Sequence, residues 1–266
     1  MIALITGLGF TFSGSSKKAR LLNKITKRMY SFALRKNKVT IFQNKDDEEL
    51  FLNNSILNSD QETYVVNGSG VNLNEYPFRP NKRVDQKIKF VIVARLIREK
   101  GIELFLRTAK ELKNKFPLCE FHIVGGQADP PSGINMQSLL KLEQEQIIYY
   151  HGLKDNIAQF LSEMDVFVLP TFYREGVPRS ILEALSIGMP IITTDTPGCR
   201  ETVIKGQNGF LIPPKDENAL KEACQRFIDN PMLIEQMGSE SRNLAERKFD
   251  VNIINDHLLK KINEFS

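Results

Sequence analysis

Two hydrophobic periods divide this chain into short elements. Brief apolar runs bounded by Gly, Asn or Asp read as strands, and apolar residues three and four apart read as helices. Residues 2–6 followed by Gly7 have the form of a buried parallel strand ending in a glycine turn. From residue 16 to 38 the spacing is helical, with Leu22, Ile25, Met29, Phe32 and Ala33 on one face. Lys17, Lys18, Arg20, Lys24, Lys27 and Arg28 lie mostly around the rest of it. A strand at 39–42, a helix at 46–53 with acids in its first turn, and a strand at 64–66 follow. Residues 71–86 carry two prolines and little periodicity, which predicts a linker.

A second series fills the rest of the chain. Strands are expected at 89–94, 120–124, 146–150, 165–169, 190–194 and 209–212. Helices are expected at 101–115, 156–162, 178–187, 200–205, 217–229, 232–248 and 251–265. Such alternation predicts an α/β fold with parallel sheets. The organisation read from it is a complete doubly wound, Rossmann-like domain over residues 79–248. The incomplete end of a similar domain precedes it over 1–78, and a helix over 249–266 packs back toward that first part.

Composition narrows the classes. Of 266 residues, 41% are hydrophobic and 26% charged, an ordinary globular balance that excludes disorder. Cys119, Cys199 and Cys224 are far apart and odd in number, which argues against a disulfide framework or a zinc knuckle and for a reducing cytosol. No apolar run reaches the roughly 18 residues of a membrane span. The apolar start followed by Ser13–Ser16 resembles a leader, but its lysines come after the apolar stretch rather than before it.

The net charge of +4 is unevenly spread: residues 1–45 hold ten Lys and Arg and no acid. That excess fits either an anionic partner or the solvated face of one helix. No basic strand interleaved with aromatics supports a nucleic-acid partner.

Ligands of doubly wound sheets sit at the carboxyl ends of the strands. Two segments there carry the candidate chemistry. In the first, LPTFYREGVPRSILEA (169–184), a strand ends, a loop presents Glu175, and a helix begins after Pro178. Free amides at that helix start, with the positive end of its dipole, suit a diphosphate. Glu183, about a turn and a half into the helix, can accept hydrogen bonds from a vicinal diol, and Glu175 can do the same for sugar hydroxyls. Equally, Glu175 can cap the helix and Glu183 can be an exposed helix position.

In the second segment, VIVARLIREKG (91–101), Arg95 follows a buried strand and Lys100 precedes a helix. Both cations would reach over the same sheet edge, where they suit a departing diphosphate; loop cations can also be plain solvated charge. No Asp-x-Asp occurs, and His122, His151 and His257 lack ligand spacing, so no metal or other cofactor is expected.

With these blocks in order, from the Arg95–Lys100 pair through the Glu-x7-Glu of Glu175 and Glu183 to GQNGFLIPPKD, the chain resembles glycosyltransferase family 4 over residues 64–250. YREGVPRSILEAL and TDTPGCRETV are most similar to bacterial transferases of surface polysaccharides, including N-acetylgalactosaminyltransferases acting on undecaprenyl-diphosphate-linked sugars. The resemblance implies a GT-B fold and metal-independent transfer from a nucleotide sugar, with retention. It assigns Arg95 and Lys100 to the donor diphosphate, Glu175 to the transferred sugar and Glu183 to the ribose. Amides near Gly176 and Val177 would touch phosphate or sugar. Gly125 and Gly152 would leave room for the nucleotide, and backbone around Gly152 and Leu153 would read the base, most often uridine. The acceptor implied is a glycan or an undecaprenyl-diphosphate-linked sugar.

The chain departs from the family at its front, where a glycine-rich loop and a sugar-contacting His have no counterpart. A truncated product, an internal start, or a partner chain supplying the missing half would each account for that. An active transferase and an inactive nucleotide-sugar-binding remnant are therefore both carried forward; an epimerase of the same architecture is disfavoured by the Glu-x7-Glu block. The basic helix at 17–38 would meet an anionic inner-membrane surface from the cytoplasm. Electrostatic docking without insertion is expected, because its apolar face is needed to cover the sheet.

Overall fold

Most strands are separated by a helix in the chain, and every strand pair among the described residues is parallel. The computed structural model describes residues 1–9, 12, 17–58, 60–80, 87–129 and 132–264, and the side chains of all of these but 17–19. The leader-like stretch at 13–16 with the expected start of the helix at 16, the end of the linker at 81–86 and Phe265 lie outside the described residues.

The smaller sheet is formed by β1 (Ile2–Ile5), β2 (Val39–Phe42) and β3 (Glu62–Val65), with α1 (Lys17–Leu34) and α2 (Lys45–Asn53) as the crossovers. Its order is β1-β2-β3, in the register Ile2 to Val39 and Val39 to Glu62. Residues 66–80 then lead to the larger sheet. Its elements are β4 (Lys89–Val93), α3 (Ile102–Lys115), β5 (Glu120–Val124), α4 (Met136–Gln144), β6 (Tyr149–Tyr150), α5 (Ile157–Leu161) and β7 (Val166–Leu169). They continue as α6 (Arg179–Ile187), β8 (Ile191–Thr194), β9 (Gly209–Ile212), α7 (Glu217–Asp229), α8 (Met232–Leu244) and α9 (Val251–Asn263).

The six strands run in the order β6-β5-β4-β7-β8-β9. The chain enters at β4, steps outward to β5 and β6, and returns to the other side of β4 as β7. The loops after β4 and β7 therefore leave the sheet in opposite directions and open a crevice between them. Helices cover both faces, so β5, β7 and β8 are buried throughout. Phe90 stacks on Phe121 at 5.1 Å, and Phe105 from α3 meets Phe121 edge-on at 5.8 Å.

Several elements differ from the sequence reading. Helix α4 was not expected, although Met136, Leu139 and Leu142 meet the core from it; its start is fixed by Asn135, which accepts from the Ser138 amide. The helix expected at 232–248 ends at Leu244 and continues as a wider π turn over Ala245–Phe249, and the one expected at 200–205 is a single 3-10 turn, Arg200–Thr202. Strand β6 keeps two of its five expected residues.

Two expectations about the first part are corrected. The strand at the start is not buried: Leu4 is 49% exposed, and among the described residues β1 pairs with β2 alone. The apolar face of α1 does not cover the sheet. Leu22, Ile25, Met29, Phe32 and Ala33 are all exposed, and α1 docks instead through Tyr30 and Leu34. Tyr30 meets Phe51 at 5.2 Å, and Lys27 donates to the Asn54 side chain of the α2 cap at 2.7 Å. The expectation took the one strongly apolar face for the packed one; an aromatic and a leucine on the opposite side suffice.

At the far end, α9 returns to the smaller sheet. Leu258 packs on Val39, Ile41 and Val66, and Lys261 pairs with Glu62. The Val71 amide donates to the Phe249 carbonyl, and the Val251 amide to Val71, joining residues 66–80 to the base of α9.

Candidate functional site

The site begins with the two loops at the switch point. After β4 the backbone stays beside β5 as far as Leu96, whose amide donates to Gly126, and then closes a 3-10 turn, Arg98–Lys100. Gly101 ends the turn at φ 77, and a β-carbon there would come within 2.2 Å of the Pro170 carbonyl. Only glycine lets this turn lie flush against the end of β7. The Phe172 amide and Thr171 hydroxyl both donate to the Glu99 carbonyl, at 2.8 and 2.9 Å, fastening the two loops together.

This seats Lys100 against Glu175. Its Nζ donates to both carboxylate oxygens, at 2.7 and 2.6 Å, and the two side chains are 12% and 18% exposed. A short, charge-assisted contact so shielded from water is stronger than a surface pair. Two of the expected residues, 75 positions apart, are thus joined directly. Arg95, two residues beyond β4, is exposed and among the described residues forms no ion pair.

The Glu175 loop is also held from the smaller sheet. The Gly176 amide donates to Thr6 at 3.0 Å, and the Gly9 amide donates to Arg174 at 2.8 Å. A β-carbon on Gly176 would fall 2.1 Å from the Gln43 side chain and 2.2 Å from the Thr6 carbonyl, so this contact requires glycine. Of the amides near Gly176 and Val177 expected to touch phosphate or sugar, that of Gly176 is committed to Thr6. Val177 is buried, beside Gly68. Arg174 donates to the buried Asp47 at 3.0 Å, and Arg200 to Asp46 at 2.7 Å. Burial raises the pKa of Asp47, opposed by hydrogen bonds from Asn44 and the charge of Arg174.

Glu183 is not an exposed helix position. It is 8% exposed on α6, where Arg179 donates to it at 3.1 Å across one helical turn. Burial raises its pKa, while the Tyr76 phenol and the Arg179 charge oppose that rise. Burial and the neighbouring Glu183 in turn push the Tyr76 phenol up to about 12. The carboxylate faces Tyr76, which spacing could not reveal, because Tyr76 lies in an irregular segment. Arg179 was accessible to sequence reading as the i, i+4 partner of Glu183.

The third group lies at the β5–β6 side. The Gly125 amide donates to Gly152 at 2.8 Å and the Tyr150 hydroxyl to the Gly125 carbonyl at 3.0 Å, so the two expected glycines are adjacent. Leu153 is 80% exposed beside Gly126. Next to them His122 Nδ1 lies 3.0 Å from His151 Nε2, and His122 Nε2 lies 3.4 Å from Glu120. Burial, then the neighbouring His151, lowers the His122 pKa to about 4. Among the described residues no group of three or more His, Cys, Asp or Glu side chains is placed to hold a metal ion.

A cation and a carboxylate are joined at the switch point of one parallel sheet, and a second parallel sheet closes over their loop; the fold of this α/β protein is of the GT-B type. Residues 75–244 match the family described as Glycosyl transferases group 1, and the chain belongs to that family. It is 27% identical over 269 residues to the N,N'-diacetylbacillosaminyl-diphospho-undecaprenol alpha-1,3-N-acetylgalactosaminyltransferase of Campylobacter jejuni, covering 97% of this chain and 69% of that protein. It is 28% identical to the capsular polysaccharide biosynthesis glycosyltransferase CapM of Staphylococcus aureus, covering 74% of this chain and 53% of that one.

Among solved structures, TarM superposes with a TM-score of 0.77 at 18% identity, covering 97% of this chain and 49% of its own. Anabaena HepE in complex with UDP superposes with a TM-score of 0.79 at 19% identity, covering 99% of this chain and 72% of its own. Likeness at these identities speaks for the fold. The chain thus spans between about half and seven-tenths of the length of these proteins.

Proposed function

We propose that this chain transfers a hexose or N-acetylhexosamine from a nucleotide sugar, UDP-linked, to a polysaccharide or lipid-linked acceptor, with retention, as a family 4 enzyme. Residues 79–248 form the donor-binding domain, 1–78 the acceptor-side part, and 249–266 a helix closing back on it. The observation that carries this reading is the shielded Lys100–Glu175 contact at the switch point. Lys100 and Arg95 neutralise the diphosphate as it leaves, and the amides opening α6 add their dipoles. Glu175, held by Lys100, accepts the hydroxyls of the transferred sugar. Glu183 accepts the ribose diol, exchanging Tyr76 for it. Backbone between Gly125 and Leu153 frames the base.

The Campylobacter relative is named for an undecaprenol-linked acceptor, and that supports a lipid-borne acceptor met by peripheral contact at the cytoplasmic membrane face. Calorimetric titration with UDP, GDP and ADP tests the donor assignment. UDP should bind, and Glu183→Ala should weaken it about tenfold or more, the scale of one lost charged hydrogen bond. Arg95→Ala should slow turnover about a hundredfold with a smaller change in affinity. Two variants indistinguishable from the parent would refute the assignment.

A second reading is a nucleotide-sugar-binding protein without turnover. UDP binding without product from any lipid-linked acceptor would select it.

A further inference from the structure

Helix α1 presents five large apolar side chains to solvent: Leu21, Leu22, Ile25, Met29 and Phe32, the last two 66% and 76% exposed. At 100° per residue they fall within one arc of about 100°. Arg20, Lys24, Arg28 and Arg35 are exposed along one border of that arc, and exposed Lys36 lies within it. The opposite side of the helix is engaged through Lys27, Tyr30 and Leu34, so the stripe is not the face by which α1 docks onto its own sheet. No helix among the described residues is long and apolar enough to cross a membrane.

We infer that α1 lies in the plane of an anionic lipid leaflet, with Leu21, Leu22, Ile25, Met29 and Phe32 inserted among the acyl chains and the basic border on the phosphates. The occupant follows from charge and polarity together. An apolar centre edged by cations, in a segment of 45 residues with no acid, complements a surface whose interior is hydrocarbon and whose rim is anionic. A nucleic acid would satisfy the cations and leave the stripe in water. Lys36 reaches the headgroups from within the arc by extending its stem. Insertion replaces the purely electrostatic contact expected while the apolar face was assigned to the sheet. The inference deepens the lipid-borne acceptor reading and rests on it for the choice of surface.

The test uses the whole chain with vesicles of phosphatidylcholine alone and of phosphatidylcholine with phosphatidylglycerol, sedimented at low and high salt. Binding should require the anionic lipid and survive in part at high salt. Met29→Ser with Phe32→Ser should lower partitioning about tenfold or more, with an unchanged melting temperature. The chain has no tryptophan, so Phe32→Trp gives a single reporter whose emission should shift to the blue on anionic vesicles. Leu118→Trp, exposed away from α1, should not shift.

Equal binding to neutral vesicles, an unshifted Phe32→Trp, or a dimer in sedimentation velocity that the double serine variant dissolves would each overturn the inference. UDP titration of the double variant separates the two readings. Lost vesicle binding in the parent with UDP affinity intact sinks insertion alone, and lost UDP affinity with vesicle binding intact sinks the transferase reading alone.

Discussion

The six-stranded and three-stranded parts are built on the same strand–helix rhythm, yet they bury their apolar residues differently. In the larger part both sheet faces are covered and the strands run through one continuous core. In the smaller, two separate clusters lie on the two sides of the sheet, and the most apolar face of its long helix points to water. The difference indicates a division of labour. The closed core holds the Lys100–Glu175 pair at the switch point, while the smaller part contributes Thr6, Asp46 and Asp47 as contacts.

The sharpest test of that contrast is a truncation inside the larger core. Phe121 is fully buried between Phe90 and Phe105. Phe121→Ala should cost about 3–5 kcal/mol, from lost transfer energy plus a cavity that packed neighbours cannot close. Urea unfolding measures it; a loss below about 1 kcal/mol would mean the larger core is as loosely built as the smaller.

The joint between the two parts comes next. Asp47 is 1% exposed and faces Arg174, whose side chain is 21% exposed. Asp47→Ala strands a largely buried guanidinium and should cost about 3 kcal/mol. Because Arg174 adjoins Glu175, it should also slow the transfer proposed above. Adding Arg174→Met should return part of the stability, since the penalty comes from the unpaired charge. If Asp47→Ala melts like the parent, the contact contributes little; if the double variant melts no higher than the single, the unpaired charge is not the source of the loss.

How much of this could be read in advance depended on whether a feature was local. The strand–turn–helix units at 89–115 and 165–187 were readable because an apolar run stops at Arg95 or Pro170 and a helical period begins within a few residues. Parallel topology then brings Lys100 and Glu175 to one edge, which is why their convergence was legible; that they bond to each other directly was not. Contacts made by irregular segments were not readable: Tyr76 on Glu183, Thr6 on the Gly176 amide, Asp47 on Arg174. Helix α4 was legible in principle, since Met136, Leu139 and Leu140 have helical spacing, though no helix was expected there. In α1 the period correctly identified an apolar face, but periodicity is silent on what lies opposite that face.

The His122 pair offers a smaller effect and a change of variable. Its Nε2 faces Glu120 and its Nδ1 faces His151 Nε2, so the favoured neutral arrangement places the proton of His122 on Nε2 and has Nδ1 accept from His151. With a folded pKa near 4 against an ordinary 6.5, the unfolded chain binds the extra proton first. Stability should be complete above about pH 6.5 and fall by about 2–3 kcal/mol as the pH drops toward 4. His122→Gln should flatten that slope. The effect belongs to the larger part, so the β5–β6 side beside Gly152 should lose hydrogen-exchange protection first.

The smallest expected effect is the most discriminating for the smaller part. Phe32 is the most exposed of the five apolar side chains on α1, and Arg35 sits over its ring at 5.6 Å. Removing a side chain already in water forfeits almost no transfer energy, and a cation–π contact at an exposed site is worth about 0.5–1 kcal/mol at most. Phe32→Ala should therefore leave the unfolding free energy within about 0.5 kcal/mol of the parent, against several for Phe121→Ala. Alanine also favours the helix more than phenylalanine does, which offsets part of the lost contact. A cost above about 2 kcal/mol would mean that Phe32 is buried in solution by another part of the protein or by a second copy, and the face of α1 would then be a packing surface like those of the larger core.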